Sequence, residues 1–240
     1  MRGGMHFGFL ANPQPLPRIV SRALIACALV MRVQIDRHPE HGEAADLLGS
    51  VLGWLEASGC DEEIEADERA VLDRPLGRLQ REEGERFAWY GELAGVLAWA
   101  IQRYTLPAID QPADALDVAG ALDWLTEQGK ALRTTARLRP REQLSAMLEV
   151  VAAADWRLQL AAASKDRLSM ARWRADRMTW PPDVTPFAIK DDDLAVNGQA
   201  VNAIDGRTLL RTARTLRERH RAALWLLGQS STYSGVSRPR

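Results

Sequence analysis

The 240-residue chain is 46% hydrophobic, enough to bury a core without disulfide or metal staples. Its 31 Lys and Arg against 32 Asp and Glu leave a net charge of -1, which excludes the overall basic field of a nucleic-acid binder and any acidic excess. Cys27 and Cys60, in unrelated contexts, suit a reducing compartment and exclude a disulfide framework.

The Gly- and Pro-rich stretch 1–17 is expected to be a flexible leader. "LIAC" (24–27) has the form of a lipid-attachment box, but Arg22, Pro13, Pro15 and Pro17 interrupt the apolar run that export requires. Val20, Leu24, Cys27, Met31 and Ile35 instead share one helical stripe, predicting a first helix over about 18–37 that ends before Pro39. Leu47, Leu48, Val51, Leu52 and Leu55 mark a second, closed by Gly59. "CDEEIEADERAVLD" predicts a third, mostly solvated helix stopped at Pro75, and "WYGELAGVLAWAIQ" (89–102) lies in a fourth, ended by Leu106-Pro107. A fifth is predicted over about 112–128, with Asp110 as cap and Gly129 past its end.

Helical pattern then runs from Pro140 to about Met178, long enough to predict a break near Ser164, before "WPPDVTP" interrupts it. In "LAVNGQAV" an Asn-Gly pair between two apolar runs predicts a β-hairpin. The last helix is predicted over about 206–227, ending at Gly228, with a loose polar tail over 229–240. No run reaches the roughly 18 apolar residues that span a bilayer, so no membrane partner and a cytoplasmic location are expected. The expected architecture is mainly α: a single helical domain over 18–228 with one small β-hairpin before the C-terminal helix.

Within this pattern some charges are out of place. Glu92 interrupts a helix that is apolar nearly all round, and such a helix is normally surrounded by others. A buried carboxylate must be paired, since desolvating an unpaired charge costs several kcal/mol, so a buried arginine partner is expected. Gly91 and Gly95 beside it would let a neighbouring helix approach closely. Asp155 and Arg157 interrupt a second apolar helix, and Glu218, Arg219 and His220 precede the apolar end of the last one, with His220 on its stripe. These residues predict an interior polar network that sets helix register. The competing reading makes them acid and base in a helical pocket.

Established chemical motifs are missing. "HPEHGE" (38–43) lacks the Pro-Cys-x-x-Cys of zinc deaminases and the i, i+4 histidines of zinc proteases. There is no Gly-x-Ser-x-Gly, phosphate loop or dinucleotide fingerprint. No catalytic residue, metal or cofactor is therefore expected. Basic stretches at 172–177 and 211–221 read as solvated or inward-paired faces, making nucleic-acid binding the weaker reading.

Glu92, Trp99, Leu106-Pro107, Asp155-Trp156-Arg157, the hairpin and "ERHRAALWLLG" occur in an order that resembles the bacterial family catalogued as domain of unknown function 4272. The resemblance spans about 22–228 and implies a helical domain with a small hairpin. Family patterns usually place an arginine before the glutamate, where this chain has Gly91, and a Trp-Asp-rich ending, where it has "SSTYSGVSRPR". Some similar proteins are encoded beside toxins that bacteria deliver by type VI secretion. That implies an immunity protein, which needs a stable scaffold and a complementary surface. On this reading the acidic segment Asp61, Glu62, Glu63 and Glu65 would meet a basic toxin face, and Trp180, in its proline-rich turn, would be an anchor. The alternative is an enzyme of unknown reaction using the Glu/Asp/Arg/His group.

Overall fold

The computed structural model describes residues 12–163, 187–191 and 193–236. The protein is mainly α-helical. Helix α1 (Leu16–Asp36) starts at a proline, whose fixed φ and missing N–H cost nothing in the first turn. Helix α5 (Tyr90–Ala100) is buried along its whole length. The two long C-terminal helices, α8 (Arg141–Ala163) and α9 (Gly206–Leu226), pack on each other, and α9 also packs on α5. The core is thus a stack in the order α1, α5, α9, α8, filled by side chains such as Leu24, Leu97, Trp225 and Leu158. The shorter helices α2 (Ala44–Ala57), α3 (Ala66–Leu72), α4 (Arg81–Ala88), α6 (Ala115–Ala121) and α7 (Glu127–Thr135) surround α1.

Local chemistry explains where the helices break. The predicted fourth helix is α5, which stops at Ala100, short of Leu106-Pro107, and is joined at Trp89 to a separate helix, α4, that was not expected from the sequence. The predicted fifth helix is two. Asp123 and Leu125 take positive φ between α6 and α7, and Asp114 rather than Asp110 caps α6 by accepting the N–H groups of Leu116 and Asp117. Gly129 lies inside α7, not past an end: a Cβ there would sit 2.4 Å from the Asp123 carbonyl oxygen, so only glycine admits this close turn. The acidic segment forms a short 3-10 turn, Asp61–Glu63, followed by α3, and it is not mostly solvated, because Glu68, Val71 and Leu72 are buried.

The Asn-Gly signal does form a hairpin. Asn197 and Gly198 both take positive φ, as a two-residue turn of this kind requires. They join β2 (Asp193–Val196) to β3 (Gln199–Ala200), pairing Val196 with Gln199. A further strand, β1 (Ile189–Lys190), pairs antiparallel with β2, giving the order β1-β2-β3. The predicted break near Ser164, the basic stretch 172–177 and Trp180 lie outside the described residues.

Among the described residues, parts of both chain ends depart from the expectation. Within 12–17 of the predicted leader, the Gln14 side chain is held, donating to the Trp225 carbonyl at 3.2 Å and to that of Ser230 at 2.8 Å. The stretch from Gln229 to Val236 is not loose. Tyr233 is 0% exposed, stands edge-on to Tyr90 at 5.4 Å, and lies under the Arg221 guanidinium. An aromatic ring can bury this much surface from a polar sequence because the backbone beside it is bonded: Glu65 accepts the N–H groups of Tyr233 at 2.5 Å and Ser234 at 3.0 Å. Tyr233→Ala is accordingly expected to lower the unfolding free energy by about 3–5 kcal/mol, the range for emptying a buried aromatic site. A urea melt with an unchanged midpoint would show that the ring does not carry that packing.

Candidate functional site

The functional question centres on how α5, α8 and α9 hold their charges. Glu92 is 2% exposed and accepts from Arg219 Nε at 2.7 Å and from the Ala113 N–H at 2.8 Å. Arg219 uses its remaining donors on the loop that α5 feeds, reaching the carbonyls of Pro107 at 3.0 Å and Gln111 at 2.9 Å. The pair therefore joins α5 to α9 and shapes 107–113 between them. Gly95 serves the same loop: a Cβ there would lie 3.0 Å from Ala113 Cβ, so the close approach expected of a neighbouring helix is made by this loop.

The next residue on α9 points elsewhere, because successive side chains on a helix diverge. His220 Nδ1 meets Asp155 Oδ2 on α8 at 3.0 Å, with both groups buried. The carboxylate makes Nδ1 the donor. The other atoms of this pair, His220 Nε2 and Asp155 Oδ1, are buried with no hydrogen-bond partner among the described residues. Arg219 and His220, adjacent on α9, thus face α5 and α8 respectively.

Arg157 completes the arrangement without touching either pair. Its guanidinium grips Asp193 with two bonds, 2.7 and 2.6 Å, and donates to Asn202 Oδ1 at 2.9 Å. This ties α8 to β2 and the turn after β3. The hairpin is held from its other end by Asp110, which accepts the Asn197 N–H at 2.8 Å. Glu218 lies 3.5 Å from the Tyr233 hydroxyl. The six residues expected to form one network are therefore distributed over separate pairs, joined through the loop and the hairpin.

Sequence reasoning missed Asp193, which opens the hairpin and looks like an exposed strand-start residue. It also missed a second buried cluster: Arg22, 1% exposed, bonds both oxygens of Glu68 at 2.5 and 2.6 Å and lies 3.3 Å from Glu65. The signal was present, since Arg22 and Arg32 interrupt an otherwise apolar helix as Glu92 does. Burial raises the Glu68 carboxyl pKa above its ordinary value despite Arg22. Burial acts the same way on Glu65, but the bonds from Ser234 and Tyr233 and the Arg22 charge outweigh it, so this carboxyl is held low. Burial alone pushes the Cys27 thiol up to about 12.

The residues expected to face a partner are largely engaged within the fold. Asp61 pairs with Arg69, Glu63 with Arg18 at 2.7 Å, and Glu65 with the tail, leaving Glu62 exposed. Trp180 is outside the described residues. No group of three His, Cys, Asp or Glu side chains among the described residues is placed to hold a metal ion, and no described helix is long and apolar enough to cross a membrane.

A cavity of about 790 Å³ lies between α1, the α4–α5 joint and α6. Met31, Trp89, Leu116 and Trp124 line it, Arg37 and Arg214 stand among them, and the already paired Glu92 contributes to the wall. A family model described as Domain of unknown function (DUF4272) matches residues 12–171. The chain belongs to this family. The DUF4272 match takes in the cavity helices α1 and α4 to α6, Glu92 and the Asp155–Arg157 segment, and stops before Asp193 and α9, so the pairs Glu92–Arg219, Asp155–His220 and Arg157–Asp193 each join a residue inside it to one beyond, while Arg22–Glu68 lies wholly within it. No curated protein and no solved structure matches the chain.

If Asp193 exists to neutralise Arg157, removing it leaves a buried cation alone. Asp193→Ala should then destabilise the protein by roughly 3–5 kcal/mol, measured by chemical denaturation. A loss below 1 kcal/mol, about the worth of an exposed pair, would show that Arg157 finds water or another partner.

Proposed function

We propose that this DUF4272 protein is a protein-binding protein, most sharply an immunity protein that neutralises a co-encoded bacterial toxin by direct binding in the cytoplasm. The observation that supports it is the closure of the charged residues. Glu92, Arg157, Asp193 and Arg219 are buried and bonded to one another or to backbone, an arrangement that holds helices and leaves little free to act on a substrate. The cavity beside α1 is walled by aromatic and aliphatic side chains with charge at its edge, a composition that suits a recognition surface. A toxin delivered by type VI secretion is the partner that the family resemblance suggests.

A second reading, an enzyme of unknown reaction using Glu92, Asp155, Arg157 and His220, draws on the unpartnered Nε2 of His220. The two separate in one experiment. The tagged protein is purified from its native source, stoichiometric partners are identified by mass spectrometry, and His220→Gln is tested for protection against the partner. The binding reading expects one secreted, neighbouring-gene toxin and full protection by His220→Gln. Absence of any partner, or protection abolished in a folded His220→Gln protein, contradicts it.

A further inference from the structure

Helix α1 turns Cys27, Val30, Met31, Gln34 and Arg37 toward the cavity, spacings of three, one, three and three that make one helical stripe. Most of α1 is covered by other helices; along this stripe Cys27 and Val30 are buried in the cavity floor, Met31 is half-buried, and Gln34 and Arg37 are exposed. A second depression of about 270 Å³ adjoins it, sharing Met31 and Gln34 and extending past His38 to Leu47. Together they form a trough that follows α1 from Cys27 to His38, a length of about 16 Å at 1.5 Å per residue, or three helical turns. Leu116 and Leu47, 71% and 39% exposed, stand at its two ends. The Trp124 indole N–H at its wall has no acceptor among the described residues.

The charges around the trough are unequal in what they have left to offer. In the larger cavity the carboxylates are spent: Glu92 is bonded to Arg219, Asp114 accepts the first N–H groups of α6, and Glu85 pairs with Arg81 at 2.8 Å, while Glu43 stands exposed in the second depression. Arg37 is exposed and is bonded only to the Gln34 amide among the described residues. The trough thus offers an apolar, aromatic floor with guanidinium groups at the edge of its larger part, over a length of about three helical turns.

We propose that the trough takes one amphipathic α-helix of a partner protein. Apolar residues at i, i+3 or i+4, and i+7 seat against Met31, Trp124 and Leu116, and an acidic side chain at the helix edge meets Arg37. The inference rests on the protein-binding reading and moves the expected interface from the acidic segment at 61–65 to the opposite chemistry: a basic-rimmed groove for an acidic helix.

The test is a displayed library of helix-favouring 15-residue peptides, randomised along one face, panned on the full chain and counter-selected on Leu116→Asp. Leu116 is exposed at the start of α6, so this variant keeps the fold, which an unchanged melting temperature verifies. Enriched peptides are expected to carry an apolar stripe with Asp or Glu at one edge. Their affinity, read from Trp89 and Trp124 fluorescence, should fall about tenfold or more with Leu116→Asp and with Arg37→Glu, and stay unchanged with Glu62→Lys. No enrichment over Leu116→Asp, or enrichment of basic peptides, overturns the proposal. So does binding of an anilinonaphthalene dye that no peptide displaces, which assigns the trough to small molecules, or a dimer in sedimentation that Leu116→Asp abolishes, which assigns it to a second copy. Toxin protection that survives Leu116→Asp removes the trough and leaves the immunity function standing.

Discussion

The buried bond between Glu92 and Arg219 is the constraint from which the rest of the arrangement follows. Two ions removed from water cost several kcal/mol each unless geometry and extra hydrogen bonds compensate. Here they do: Glu92 also accepts a backbone N–H, and Arg219 also satisfies loop carbonyls. The result reaches beyond two helices. Because Arg219 orders 107–113, Asp110 is in place to hold the hairpin turn, and because the hairpin is in place, Asp193 can neutralise Arg157 on α8. The ion pairs at either end are buried groups whose alternative is an uncompensated charge, and the exposed Asp110–Asn197 bond connects them, so the links reinforce a single packing of α5, α8 and α9.

A second cluster does the same for the ends of the chain. Arg22 and Glu68 bind α1 to α3, Glu65 beside them captures the backbone of the C-terminal segment, and Gln14 and Arg18 reach carbonyls in that segment from the start of α1. Glu65 and Glu68 are spent on these internal bonds, whereas the Asp61 side chain, paired with Arg69, stays 53% exposed.

The helical class, the hairpin and the oddness of Glu92, Asp155, Arg157, Arg219 and His220 could be read from sequence because they rest on local rules. Asn-Gly dictates its turn, and a charge on an all-apolar helix dictates burial. What could not be read was pairing, which depends on helices distant in the chain: nothing local says that Arg219 faces α5 while His220 faces α8. Boundaries failed where tertiary contact overrides local signals. Gly129 reads as a terminator but is a contact residue, and Asp110 reads as a cap but serves the hairpin. The tail was misread because its composition is polar, while its order comes from one tyrosine and a carboxylate far away in sequence. The trough left no mark at all, since an uncovered helical stripe and a covered one have the same spacing.

The central claim is that Glu92 and Arg219 act as one structural unit, and a double-mutant cycle in urea measures it most directly. With Glu92→Leu, Arg219→Met and the combined variant, the account expects each single change to cost about 3–5 kcal/mol by stranding the other charge, and the double to be far less destabilised than the sum. A coupling energy of about 2–3 kcal/mol would be the signature. Single effects that simply add, or singles as stable as the parent, would show that the two groups are independent and would contradict the account.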